Sequence, residues 1–459
     1  MRLWQAGRTA PLLVLACLGL LPGSIGPARA LSQRVHVIVF GQDVAAAAHG
    51  TSFRQTRDLK LIGAVAGTIR ASDVRALAHR RGISRVEPDT HVSTMSNDNN
   101  LHPVTLHPDT DNAPNSWSHG FTGAGIGIAT IDTGVVPTAP DLAGRVVQVR
   151  LAGQQGSLDD HYGHGTFVAG LAAGASADGR YAGIAPGATV YAVNVLRPDG
   201  SLWSSDVIAG LSWVYENHAA YNIRVVNLSL SEDQPSSYLA NPLDTAVERV
   251  WQDGVVVVAA AGNHGLGAAS YAPGNDPFVI TVGATDMHGS SSVSDDTVTS
   301  WSSSGTTLDG YVKPELVAPG RAIVSSLPEA SDLYAQAPPS SIVEPGYVAM
   351  NGTSLAAPQV AGAVADVLQA HPSWTPNQVK GTLVQSSRSL NGGGRALQVY
   401  QAVTAGRPFS SNALLVQATF GLTTTDNGTT TSAGWTMTAG WTMTAGWTMT
   451  AGWTSFFER

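Results

Sequence analysis

A chain of 459 residues with only 13% charged side chains and 50 glycines is long enough for two or three folded units, one of them large. That composition argues against a disordered chain, and a net charge of −8 without a basic stripe argues against a nucleic-acid partner. It also argues against attachment to an anionic membrane by charge alone. Residues 1–30 read as an export signal: Arg2 and Arg8, an apolar run from Leu12 to Leu21, and Ala28-Arg29-Ala30 as a small-x-small cleavage site ending at Ala30. The run is too short to span a bilayer. Cys17, the single cysteine, lies inside it, so a chain cut after Ala30 has no thiol and no disulfide. A lipid anchor on Cys17 is the alternative, which Leu15 and the short apolar run fit poorly.

Residues 31–95 carry a pattern of their own. RVHVIVF reads as a strand, LKLIGAVAGTI as two strand pieces, and ISRVEPDTHV as a closing strand. Val74, Leu77 and Ala78 recur at helical spacing behind Ser72, a candidate N-cap. With a first helix after GQDV, the order becomes β, helix, β, β, helix, β, a ferredoxin-like α+β domain.

From residue 96 to 406 the pattern changes to short, nearly continuous apolar runs: GIGIATI, ATVYAVNVL, IRVVNLSL, GVVVVAAAGN and DPFVITVGAT, with helical stretches between several of them. Such runs predict an α/β fold, a parallel sheet buried on both faces and flanked by helices, with polar function at the carboxyl ends of its strands. Asp132 follows GIGIATI, and Asn263 follows GVVVVAAAG. His164 stands in YGHGTFVAG where a helical run starts, and Ser354 in NGTSLAAPQVAG opens another. A serine hydroxyl attacks a carbonyl poorly unless an imidazole takes its proton, and the imidazole needs a carboxylate to fix its tautomer. Each residue alone has a plain reading: a strand-end turn, a buried histidine, an N-cap serine. His161, three residues before His164, lacks the His-Gly-Thr frame and reads as a solvated loop residue.

The order Asp, His, Ser, each in its glycine-flanked apolar frame, resembles the subtilisin-like serine proteases of peptidase family S8. The resemblance implies a secreted serine endopeptidase with Asp132 orienting the imidazole, His164 as general base and then acid, and Ser354 as nucleophile. It further implies Asn263 as the side-chain donor of an oxyanion hole and no cofactor. An esterase using the same triad lacks the G-x-S-x-G elbow and has a different residue order. Residues 31–95, closing on VEPD at 86–89, resemble the inhibitory propeptide of the family, which aids folding, occupies the cleft and is cut off. The expected cut follows Met95. For polypeptide substrates, the resemblance implies one groove edge at Gly200, Ser201 and Leu202 and the other at Ser229, Leu230 and Ser231, with Ala260, Ala261 and Gly262 walling the first pocket. Family members usually have glycine where this chain has Ser231. Asp141 matches a family calcium ligand, but Ala177 stands where an asparagine ligand is expected, so a structural calcium site there reads as incomplete; other calcium sites stay open. No Cys and His spacing suggests zinc.

The tail, residues 407–459, becomes threonine-rich and then repeats AGWTMT with Trp435, Trp441, Trp447 and Trp453 six apart. Along it Trp, Met and Ala alternate with Thr, Thr and Gly, the period of a strand with one apolar face. A tail of that kind would attach to a cell surface or to copies of itself; a disordered tail from a repeated coding sequence is the other reading.

Overall fold

A computed structural model describes residues 33–94, 105–154, 157–176 and 178–412. The export signal with Ala30 and Cys17, the Met95 site, Ala177 and the tryptophan repeats lie outside these residues.

The first unit runs β1 (Arg34–Gly41), α1 (Val44–Ala47), β2 (Arg54–Leu59), β3 (Ala64–Arg70), α2 (Val74–Ala78) and β4 (Ile83–Pro88). Its sheet has the order β2-β3-β1-β4 with every neighbouring pair antiparallel, the ferredoxin-like arrangement read from the sequence. Helix α1 starts behind Asp43, whose carboxylate accepts from the Ala46 amide. Ser72 is not the cap of α2. Its hydroxyl bonds Asp73, and a short 3-10 turn over Ala71–Asp73 places the helix start one residue later.

Period-two alternation gives this sheet two different faces. Val37, Val39 and Ile69 pack with Val44 and Leu77 on the unit's own helices. Ile38, Phe40, Leu59, Ile62, Ala64 and Ala66 belong instead to the core of the larger unit. That face of the small sheet is therefore covered by the larger unit and not by the small unit's own helices.

The larger unit is built on β6 (Gly127–Asp132), β7 (Val146–Val149), β8 (Thr189–Asn194), β9 (Ile223–Leu228), β11 (Val256–Ala260) and β12 (Ile280–Asp286). Between β9 and β11 lies the short strand β10 (Leu230–Glu232), outside this sheet. The main sheet runs Leu316–Pro319, β12, β11, β9, β6, β8, β7, and each of these neighbours pairs in parallel. Strands β6 and β11 are buried along their whole length, as expected of strands covered on both faces. The covering helices include α3 (His164–Ala173), α4 (Ser204–Tyr221), α5 (Pro242–Gln252) and α6 (Thr353–Ala370). Each apolar run singled out in the sequence forms a strand of this sheet. From β6 the chain moves to β7 and β8 on one side and then returns to β9 on the other. That reversal makes the carboxyl end of β6 a switch point of the sheet, where a crevice opens.

Candidate active site

Asp132 ends β6 at the switch point, and His164 is the first residue of α3. The two side chains meet there in full burial, each residue only 1% exposed. His164 Nδ1 lies 2.8 Å from Asp132 Oδ1 and 3.0 Å from Oδ2. Burial works against the charged imidazolium, but the charge and hydrogen bond of Asp132, with the charge of Asp160, outweigh it. The His164 pKa is held above the ordinary 6.5.

Asp160, which the sequence reading passed over, locks this corner. One carboxylate oxygen accepts from the Thr133 hydroxyl and the Gly163 amide, the other from the Thr166 amide and hydroxyl, each at 2.7 Å. Thr133 Oγ1 in turn accepts from the Gly165 amide at 2.9 Å. A buried carboxylate thus ties the end of β6 to the start of α3 and satisfies two of the orphan amides of that helix. The signal was available: no side chain at Gly163 can cap α3, and the nearest upstream carboxylate is Asp160. Both glycines around His164 are required. Gly163 has φ +103°, and a Cβ on Gly165 would stand 2.0 Å from the Gly134 carbonyl oxygen. His161 is exposed.

Ser354 is the second residue of α6 and is fully buried. Phe167 and Leu171 of α3 share a hydrophobic cluster with Leu355 of α6, together with Ile323, Leu327 and Val348. That cluster brings the first turns of the two helices together. Four residues into the helix, Pro358 has no N–H to give the Ser354 carbonyl. The Ser229 hydroxyl replaces that donor at 2.7 Å, and Asn227 Nδ2 donates to Ser229 Oγ at 2.9 Å. Ser229, read from the sequence as a groove residue, thus holds the backbone of Ser354. Ser229→Ala leaves a buried carbonyl without its donor and is expected to cost about 1–3 kcal/mol of stability. The check is urea unfolding, made in a Ser354→Ala background to prevent self-digestion; an unchanged midpoint would refute this role.

Asn263 lies between β11 and α6. Its Oδ1 accepts from the Thr353 amide and hydroxyl, both at 3.0 Å, and Thr353 Oγ1 accepts from the Gly262 amide at 3.1 Å. Those bonds fix the amide so that Nδ2 is the group left over. Among the described residues neither Asn263 Nδ2 nor His164 Nε2 has a hydrogen-bond partner, although both atoms are buried. Native proteins rarely leave such polar atoms unmet, and exceptions concentrate where chemistry occurs.

The groove beside these residues is filled by the chain's own small unit. Strand β5 (Val92–Thr94) pairs antiparallel with β10, Leu230 facing Thr94, Ser231 facing Ser93 and Glu232 facing Val92. On its other side the Val92 amide donates to the Leu202 carbonyl at 2.9 Å, and His91 bridges Trp203. Leu202, Leu230 and Ser231 thus stand against β5. Gly200 and Ser201, read as the same edge as Leu202, lie in a turn: Gly200 donates to the Arg197 carbonyl, Ser201 bonds Asp199, and its hydroxyl oxygen accepts from Trp203 Nε1 at 3.3 Å. Ala260 ends β11, Ala261 donates to the Val282 carbonyl, and Gly262 has φ +94° against Ser303. Ser231 is buried with its hydroxyl unpartnered among the described residues. The Glu232 carboxyl is engaged by Ser204 and by Asn241, and burial pushes it up to about 7. Asp89, the last residue of VEPD, accepts from the Ser205 amide at 2.9 Å and hydroxyl at 2.7 Å, a carboxylate at the positive end of α4.

Asp141 Oδ1 accepts from the Tyr347 hydroxyl at 2.9 Å. Among the described residues no group of three or more acidic, histidine or cysteine side chains is gathered as a metal site would need.

Comparison with known proteins agrees with this geometry. The sequence profile of the subtilase family matches residues 123–432. The chain is 40% identical over 269 residues to Serine protease AprX of Bacillus subtilis (strain 168), covering 57% of this chain and 60% of that one. It is 33% identical over 363 residues to M-protease of Shouchella clausii (strain KSM-K16), covering 79% and 84% respectively. With Subtilisin Savinase of Lederbergia lenta it shares 37% identity over 278 residues, 61% of this chain and 89% of that one. Among solved structures, fervidolysin from Fervidobacterium pennivorans, a keratinolytic enzyme related to subtilisin, superposes with a TM-score of 0.62 at 24% identity, over 82% of this chain and 62% of that one. The chain therefore spans about three fifths of AprX and of fervidolysin.

Proposed function

The chain belongs to the subtilase family, and from that membership we propose that it is a secreted serine endopeptidase made as a self-processing precursor. Ser354 Oγ attacks the peptide carbonyl while His164 Nε2 takes its proton, with Asp132 on Nδ1 fixing the tautomer and balancing the charge. The oxyanion that forms is held by Asn263 Nδ2 at the positive end of α6. As the C–N bond breaks, His164 returns the proton to the leaving amine, and a water activated by the same imidazole hydrolyses the acyl-enzyme. The observation that carries this reading is the pair of buried, unpartnered nitrogens, His164 Nε2 and Asn263 Nδ2, beside the helix start that bears Ser354. A serine-directed phosphonylating reagent should label Ser354 and abolish hydrolysis of a mixed peptide library. Labelling elsewhere, with activity retained, would reject the assignment.

The pH profile follows from the raised His164 pKa. The base must be neutral, so kcat/KM is expected to fall as pH drops through a pKa above 6.5. Asp132→Asn removes the two largest raising influences and leaves desolvation opposed only by the charge of Asp160, so the acid limb should move below its wild-type position while kcat drops by about 10⁴. A limb that stays in place in that variant would mean another group titrates.

Residues 31–95 act in this reading as the propeptide, with Met95–Ser96 as the bond cut. The support is the seating of β5, whose last residue, Thr94, pairs with Leu230 and directly precedes Met95 in the sequence. The tail carries a surface or self-association role. Deleting residues 423–459 should leave peptide hydrolysis intact and change whether the protein sediments with cells or self-associates. Loss of turnover on small peptides would place the tail in the catalytic unit.

A further inference from the structure

Residues i and i+2 of a strand project to one side, so His91 and Ser93 point the same way out of the groove while Val92 between them is buried. Both meet one carboxylate. His91 Nδ1 lies 2.7 Å from Asp233 Oδ2, and the Ser93 hydroxyl donates to Asp233 Oδ1 at 2.5 Å. The Asp233 amide also donates to the His91 carbonyl at 3.1 Å, which fixes the register. The His91 ring stands edge-on to Trp203, centroids 5.6 Å apart and planes at 87°. Trp203 also stacks on His36, with ring centroids 4.1 Å apart.

Asp233 and its neighbour Glu232 differ in an informative way. Glu232 spends its carboxyl on Ser204 and Asn241, within its own unit. Among the described residues the Asp233 side chain bonds only His91 and Ser93, both of the small unit. When that unit departs, His36 leaves Trp203 and both partners leave Asp233. Arg197, whose guanidinium is 6.0 Å from the Trp203 ring centroid, is already paired with Asp206 at 2.8 Å.

We propose that Asp233 and Trp203 form an outlying substrate subsite that selects a histidine or other basic side chain four residues before the residue at the cut, with a hydroxyl side chain two residues further on. The proposal rests on the protease reading and on β5 standing in for a substrate strand. Edge contact with an aromatic ring suits an imidazole or guanidinium, and a carboxylate with two free oxygens accepts from both side chains at once. The pair is substantially exposed, 45% for His91 and 39% for Asp233, so the selectivity is a matter of a few fold.

The test uses the processed full chain and peptides X-Val-Ser-Thr-Met with a reporter after Met, X being His, Arg, Ala or Glu. Wild type should favour His and Arg over Ala by about two- to fivefold in kcat/KM, with Glu lowest. In Asp233→Asn that spread should shrink to within about twofold, and in Asp233→Lys the order of Arg and Glu should reverse. A wild type that cleaves all four equally, or an Asn variant that keeps the preference, overturns the subsite while the protease reading stands. A wild type that cleaves none of them overturns both.

Discussion

Replacing Ser354 by alanine is expected to leave a folded protein whose kcat is lower by about 10⁶, the magnitude known from subtilisin itself rather than one derived from these distances. Folding should survive because alanine suits the first turn of a helix and the Ser229 bond goes to the backbone carbonyl, which the substitution keeps. Without a nucleophile the bond after Met95 should also stay intact, so the variant should accumulate as the precursor. His164→Ala should cost nearly as much, and the double change little more, because the groups act as one unit. Active-site titration, intact mass and N-terminal sequencing measure all three. Substantial residual proteolysis in the alanine variant would sink the triad, and a normally processed N-terminus would point to an outside protease.

Asn263 offers the second large effect and a way to separate its two tasks. Its Oδ1 holds Thr353, and its Nδ2 is the unpartnered donor. Aspartate in its place keeps the acceptor and removes the donor. Asn263→Asp should therefore fold normally yet lose about 10² to 10³ or more in kcat with KM little changed, because the oxyanion exists only beyond the ground state. Again the size is that known from subtilisin. Asn263→Ala loses the Thr353 bonds as well and should add a stability defect in urea. A kcat within tenfold of wild type for the aspartate variant would show that this amide does not face the oxyanion.

Much of this arrangement is legible in the sequence because the reacting groups sit where strands stop and helices start. Asp132 follows an unbroken apolar run, and His164 and Ser354 each open a helical one, so position in the pattern and chemical type agree. The groups that hold them are less legible. Asp160 acts across 27 residues on Thr133 and across six on Thr166; the uncapped helix start at Gly163 points to an upstream carboxylate for the second contact, but nothing in a linear pattern marks the first. Ser229 was read as a groove residue because its neighbours are. Its partner is a carbonyl orphaned by Pro358, a relation that only the fold creates. Gly200 and Ser201 resemble a groove edge by segment alone, and the turn that their bonds to Arg197 and Asp199 make is likewise a product of the fold.

The two-faced sheet of the small unit has a consequence for the timing of activation. One face rests on α1 and α2, but Ile38, Phe40, Leu59 and Ile62 on the other are covered only by the larger unit. A fragment of about sixty residues already buries too little surface to be secure, and this one would leave with half its apolar surface wet. It would lose its fold, and an extended chain is what a peptidase digests best. If residues 31–95 are the propeptide proposed above, release would be a one-way event: the inhibitor would be consumed by the enzyme it restrained, and no later rise in its concentration could restore the latent state.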